Sequence, residues 1–457
     1  MTDQTPAASS QALPETTAGW HRRVWKLTWP MVISNLSIPL LGAVDTAVVG
    51  HLDEPTYLGA VAVGAVIFNF IYWGFGFLKM STTGFTAQAH GAGDADEVRA
   101  TLARALGIAL VLALAVLALQ IPLGLAALYL FEASAGVETL TGVYFEVRIW
   151  SAPAALANYV ILGCFLGTQN PRAALLHLVC LNGVNIILDI AFVAGFGWGV
   201  AGVAAASVIA EYAALLLGAV LLARILRRIG GTWVRERILA LAQLRRTLRA
   251  HGDIFIRTLC LLLAFGVFTA QGAKLGDVTL AANAILLNFQ SFTAFALDGI
   301  AHAAEALVGG AFGARNRAAL RSAVAISTLW AVVIAVAMTA VYAAGGTAII
   351  GLLTSLADVR AVAAEHLIWA IVLPLVSVWS YQLDGIYIGA TRTAAMRNGM
   401  ALSLAAYGVA MWLVFPAWGN HGLWFAFVVF MVARAITLAF WYPALERSLP
   451  ATPSPAR

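Results

Sequence analysis

GHLDEPTYLGAVAVGAVIFNFIYWGFGFLKMSTTGFTAQAHGAGDADEVR, residues 50–99, is echoed by GAKLGDVTLAANAILLNFQSFTAFALDGIAHAAEALVGGAFGARNRAALR, residues 272–321. Gly50, Leu58, Ala60, Ala62, Phe70, Gly91, Ala92 and Arg99 recur as Gly272, Leu280, Ala282, Ala284, Phe292, Gly313, Ala314 and Arg321, always 222 residues later and without a gap. The same offset carries Gly167 in FLGTQNPRAA onto Gly389 in YIGATRTAAM, and one residue more brings Gly199 in GWGVAG onto Gly422 in NHGLW. The chain is therefore two like halves. Both copies are apolar, and repeated membrane segments are the usual architecture of secondary transporters, which hold substrate near the repeat interface.

Apolar residues make up 61% of the chain and charged residues 11%, with a mean hydropathy of +0.86. A soluble surface needs more charge than that. Stretches of at least about 18–20 apolar residues, enough to cross a bilayer, recur along the whole chain. Twelve are read, at 25–50, 57–80, 102–130, 141–168, 173–195, 199–225, 252–274, 279–311, 320–350, 362–390, 396–418 and 422–444. They are too long and continuous for barrel strands, and backbone groups in lipid must pair internally, so they are read as helices. The expected fold class is an all-α membrane protein of twelve transmembrane helices in two six-helix lobes, 20–225 and 252–446, related by the internal repeat. Residues 226–251 read as a cytoplasmic linker, and 1–19 and 447–457 as disordered tails. Six is an even number, so both lobes enter the membrane the same way round and the repeat is parallel.

Basic residues set the orientation. With the N-terminus in the cytoplasm, inside segments collect Arg22, Arg23, Arg99, Arg104, Arg172, the Arg-rich 224–249 stretch, Arg315, Arg317, Arg321, Arg392, Arg397 and Arg447. Outside segments hold Lys274 and Arg360 beside Asp53, Glu54, Glu132, Glu138, Asp277 and Asp358. This bias predicts two cytoplasmic termini in an inner (plasma) membrane and accounts for the net charge of +5 without a nucleic-acid partner. Residues 1–19 lack the apolar core of a signal peptide. Trp233, Ile238, Leu239, Leu241, Leu244 and Leu248, set among arginines, suggest an amphipathic helix on the inner leaflet. Cys164, Cys180 and Cys260 lie in apolar stretches without metal-ligand spacing.

An ionisable group inside a span is costly, and each one is a functional candidate. Asp45, in LLGAVDTAVVGHL of span 1 and six residues after Pro39, is a candidate proton carrier. Asn182, Asn185 and Asp189 in span 5 follow spacings of three and four, which puts them on one helical face. Span 8 carries a second one-faced stripe of Asn283, Gln290, Asp298, His302 and Glu305. Its acids are suited to holding a cation, relaying a proton, or pairing with Lys79 or Arg257. Asp384 in span 10 has Leu162 as its repeat counterpart, and Asp45 has Val267. The scaffold is duplicated and the acids are not, so the lobes are expected to do different jobs. Arg148, Glu146 and Arg434 are read as snorkelling or locally paired.

Catalytic signatures are missing: there is no GxxxxGK[ST] loop, no HExxH and no GxSxG. The chain is not read as an enzyme, and an ion gradient would have to drive it. Asp94, Asp96 and Glu97, the one acidic cluster, sit where acids cap a helix start. A lipid or lipid-linked precursor flippase is the main alternative. It would line its cavity with several Arg or Lys, where the first lobe offers mainly Lys79 and Arg148. The aromatic set Phe68, Phe70, Tyr72, Trp73 and Phe75 suits either cargo.

PLLGAVDTAVVGHLDEPTYLGAVAVGA and MSTTGFTAQAHGAGD resemble the first repeat of the multidrug and toxic compound extrusion family. DIFIRTLCLLLAFGVFTAQGAKLG and ALDGIAHAAEALVGGAFGARN resemble the start of its second repeat. Both are most similar to the branch named for DNA-damage-inducible protein F. The resemblance implies two lobes arranged in a V around a central cavity. It also implies a secondary antiporter that exports organic, often cationic or amphipathic compounds in exchange for protons or sodium. Asp45 then matches the family's span 1 coupling acid, and Asn185 and Asp189 its span 5 pair. Tyr144 matches a tyrosine of the same site, and Asn182 and Asn158 are candidate residues of the substrate cavity beside it. Second-lobe acids serve sodium-coupled relatives; here Asp384 lies near such a position while the span 7 stretch TLCLLLAFGVFTAQGAKLG, residues 258–276, has none. That departure favours protons and leaves sodium as the alternative. No cofactor is expected, and the partners expected of a monomer are small organic substrates and membrane lipid.

Overall fold

The computed structural model describes residues 16–49, 55–131 and 134–450, with side chains described outside 36–55 and 130–133. No strand occurs among the described residues. In chain order the helices are α1 (Thr17–Val49), α2 (Pro55–Gly74), α3 (Phe77–Gly91), α4 (Ala95–Ala118), α5 (Gln120–Phe131), α6 (Ala135–Arg148), α7 (Ala152–Gly167) and α8 (Pro171–Asp189). They continue as α9 (Gly199–Ile229), α10 (Arg235–Ile238), α11 (Leu241–Ala273), α12 (Asp277–Gly313), α13 (Arg317–Leu353), α14 (Ala357–Gly389) and α15 (Thr393–Arg447). Ten helical runs among the described residues are long and apolar enough to cross a membrane. The longest, α15, holds Gly419 at φ 52° and ψ −125°, a conformation no α-helix contains, so it is two spans. Helix α1, at 33 residues, is also long enough to cross. The expected twelve helices are thereby accounted for.

Two compact units emerge, one of residues 33–247 and one of residues 16–32 with 248–450. Residues 16–19, expected in the tail, and 20–32, expected in the first lobe, pack within the second unit. There Val32 fills the space over Gly299, and Trp25 meets Trp330 edge to face. The stretch expected to be a linker is partly helical. Helix α11 starts at Leu241 and runs through Gly252 into span 7, and the Leu-, Ala- and Arg-rich residues 241–251 that lead into it are good helix formers. Its preceding turn is fixed in the first unit. Arg99 donates to the carbonyls of Leu226 and Gly230, both at 2.8 Å, Thr232 N donates to Asp96 at 2.6 Å, and Arg237 pairs with Asp94 at 2.7 Å.

Each unit repeats the other's backbone. In the first, a Cβ built on Gly163 or Gly167 of α7 would stand 2.6 or 2.7 Å from the carbonyl oxygens of Lys79 and Thr83 on α3. In the second, Gly385 of α14 meets the Ala301 carbonyl of α12 at 2.6 Å, and Gly389 meets that of Glu305 closer still. Every partner is 222 residues from its counterpart. Small residues at these crossings let backbones approach where lipid gives helices no hydrophobic reason to associate. Left-handed residues obey the same offset: Gly93 with Arg315, Gln169 with Thr391, and Gly197 with Gly419. So do the caps. Asp94 accepts from Glu97 N at 3.0 Å to start α4, and Asn316 from Ala319 N at 2.9 Å to start α13. The residue that shifts Gly199 onto Gly422 thus enters after the Gly419 turn.

Candidate functional site

Helix α8 buries Asn182, Asn185 and Asp189, the last without any exposure. Their shared face follows from the spacing of three and four that the sequence showed. Asp189 ends the α-helical part of the segment, and Ile190–Gly195 continue as a π-helical turn. Such turns widen the backbone and concentrate at functional sites. Asn185 Nδ2 reaches Ser207 Oγ on α9 at 3.3 Å. Asp45 belongs to α1, and its side chain lies outside the described residues.

One turn beyond Ser207, on the same face of α9, is Glu211. Asn158 Nδ2 on α7 donates both to the Glu211 carbonyl at 2.9 Å and to its Oε2 at 2.8 Å. Arg148, at the end of α6, lies 3.8 Å from Glu211 Oε1, and both side chains are largely enclosed. Its guanidinium sits 5.6 Å over the Phe68 ring and 5.4 Å over Tyr72, and it donates to Ser151 Oγ. Tyr72 Oη and Ser151 Oγ are 2.6 Å apart. Tyr144 is buried with its ring 6.0 Å from Phe68 and against Gly64, where a Cβ would strike it. Two of the expected cavity residues, Tyr144 and Asn158, therefore gather around an ion pair. Reading one helix at a time missed Glu211. Its signal was present as a lone acid in an otherwise apolar span, the same signal that marked Asp45.

The second unit holds a different polar cluster. Asp384 Oδ2 on α14 accepts from Arg257 on α11 and from Arg434 Nη2 on α15, the latter at 2.7 Å, and all three residues are buried. Arg434 lies 5.7 Å over both Tyr381 and Phe430. Arg434 is thus a buried ion-pair partner and not a snorkelling residue, and Arg257 serves Asp384. The span 8 stripe is divided among separate partners. Asn283 and Asn420 exchange amide hydrogen bonds at 2.7 and 3.0 Å, and Trp424 Nε1 adds a third at 2.8 Å. Gln290 Nε2 reaches Tyr381 Oη at 3.3 Å. Glu305 pairs with His302 at 3.2 Å one turn away, while Asp298 is half-buried between them and Gln290 along α12. Among the described residues, one group of three metal-ligating side chains converges, Glu365 with His366 and His421, outside both clusters.

The MatE family model matches twice, over residues 30–191 and 253–415. DNA damage-inducible protein F of Escherichia coli (strain K12) is 43% identical over 418 residues, covering 92% of this chain and 91% of the relative. A probable multidrug resistance protein NorM of Deinococcus radiodurans is 32% identical over 318 residues, 66% of each chain. Among solved structures, a MOP superfamily transporter from Pyrococcus furiosus superposes with a TM-score of 0.85 at 19% identity, covering 99% of this chain and all of that one. A Vibrio cholerae MATE transporter in its bent form gives 0.83 at 21% identity, over 94% of this chain and 98% of that one. At such identities the structures speak for the fold alone.

Proposed function

This chain belongs to the MatE family of transporters, and on that premise we propose that it exports organic, often cationic or amphipathic compounds in exchange for protons. It is a multi-pass membrane transporter and not an enzyme. The proposal places it in the inner membrane with both termini in the cytoplasm, working as a monomer without a cofactor. Asp45, Asp189 and Asn185 handle the coupling proton, and Asn182, Tyr144 and Asn158 contact the substrate. Proton and substrate favour different states of one binding region, and that difference in affinity converts a proton gradient into uphill export by alternating access.

The observation that carries this reading is the state of Asp384. Two guanidinium groups already occupy the carboxylate of the second unit's α14 acid. A sodium ion there would face two fixed positive charges, so coupling is better assigned to the first unit. The same logic weighs against a pyrophosphate-lipid flippase, because Arg148 is spoken for by Glu211.

The test is efflux of a fluorescent organic cation from proteoliposomes under an imposed pH gradient, then under an imposed sodium gradient. The expected result is pH-driven efflux that Asp45→Asn abolishes and Asp384→Asn retains in whatever fraction of that variant folds. Wild-type exchange by Asp45→Asn, or efflux driven by sodium alone, overturns the assignment.

A further inference from the structure

At the first three turns of α14, two of its side chains and one from α15 approach one another without belonging to either polar cluster. Glu365 and His366 lie on α14, and His421 lies two residues past the Gly419 break in α15. One ligand atom from each falls within 4.8 Å of the other two. Small side-chain rotations close such a gap onto one ion with metal–ligand bonds of about 2.0–2.2 Å. The two imidazoles stack with centroids 4.1 Å apart and planes inclined by 26°.

The protons on these rings are positioned by neighbours. His366 is buried, and its Nδ1–H donates to the Val362 carbonyl one turn back on α14 at 2.8 Å. That bond leaves Nε2 with a bare lone pair, the tautomer that a carbonyl partner imposes on ligating histidines. His421 Nδ1 accepts from Trp369 Nε1 at 3.1 Å, which keeps the His421 proton on Nε2, 3.6 Å from Glu365 Oε1. One ring is therefore ready to ligate, and the other is held closed by an indole.

We propose that Glu365, His366 and His421 form a binding site for a divalent transition ion of the zinc class, joining the start of α14 to the second half of α15. Two imidazoles and a carboxylate make a nitrogen-rich donor set. It suits Zn²⁺ and its neighbours and does not suit Mg²⁺ or Ca²⁺, which require oxygen ligands. Ligation through His421 Nε2 transfers that ring's proton to Nδ1, which ends its hydrogen bond from Trp369. Trp369 thus competes with the metal, and its removal strengthens the site. The proposal is independent of what the transporter carries.

Purified full-length protein in detergent, stripped with EDTA and exchanged into chelator-free buffer, is titrated with ZnCl₂ by isothermal calorimetry, with MgCl₂ as the control. The expected result is saturable uptake of one Zn²⁺ per chain and none of Mg²⁺. His366→Ala and His421→Ala each weaken Zn²⁺ binding by about tenfold or more, as loss of a ligand or its support does. Trp369→Phe binds severalfold tighter than wild type. His421 is partly exposed, so its variant remains folded even where the buried His366 variant does not; monodisperse elution on size exclusion checks each. Absence of saturable Zn²⁺ binding, wild-type affinity in His421→Ala, or weaker binding in Trp369→Phe overturns the proposal.

Discussion

Arg148 and Glu211 lie 3.8 Å apart in an enclosed setting, so each compensates the other's charge. Removing one member of an enclosed ion pair leaves an uncompensated charge, a loss of about 3–5 kcal/mol. Arg148→Leu and Glu211→Leu are therefore each expected to lower the unfolding temperature in detergent sharply. The double variant is expected to recover most of the loss, since it removes both charges together. A double variant as unstable as the sum of the singles would show that the two side chains act separately. Glu211 alone is legible as a lone acid in an apolar span, but its pairing with Arg148 is not, because the two lie far apart along the chain. Helical spacing reveals which residues share a face, and it placed Asn182, Asn185 and Asp189 together correctly. It says nothing of which faces meet, and Arg148 and Glu211 stand on helices with two others between them. The same limit hid the hold of Arg257 and Arg434 on Asp384, whose members lie on α11, α14 and α15. Intramembrane acids are legible one at a time; their partners are legible only once the helices are packed.

At the scale of the helix, glycines divide into two kinds. Gly167 and Gly389 face the carbonyls of Thr83 and Glu305 across a helix crossing, with no space for a methyl group. Gly107 in α4 and Gly408 in α15 have nothing within 4 Å of where an added methyl group would stand. Alanine at Gly167 or Gly389 is expected to destabilise by about 1–3 kcal/mol through overpacking. Alanine at Gly107 or Gly408 is expected to stabilise by about 0.5–1 kcal/mol by restricting the unfolded backbone. Thermal unfolding of the four variants gives the comparison, and equal shifts at all four would refute the distinction. Helix starts give a second pair. Asn316→Ala removes one cap and is expected to lose about 1 kcal/mol, while Asp94→Ala loses more because Asp94 also holds Arg237. The repeat itself was plain in the sequence, since glycines and small residues mark it. Helix ends were less so: α11 begins well before the apolar run that announces its span, because arginines continue a helix as readily as leucines do.

For the whole molecule, the distribution of arginine sets a testable sidedness. In a variant with its three cysteines replaced, Arg228→Cys, beside the turn after α9, is expected to react with an impermeant maleimide only after cells are permeabilised. Ser355→Cys, between α13 and α14, is expected to react in intact cells; both side chains are exposed in the structure. The reverse pattern would invert the orientation and with it the direction of export. A larger consequence lies in the four closely packed glycines, which read as G-x-x-x-G at 163–167 and again at 385–389. Each pair is a fixed tooth against a neighbouring backbone, so together they serve as a ruler. A far-diverged chain can be laid on this one by sliding it until both sets of teeth engage. A chain that engages only one set has kept one half's grip and loosened the other, and its surviving set tells which half still sets the gauge.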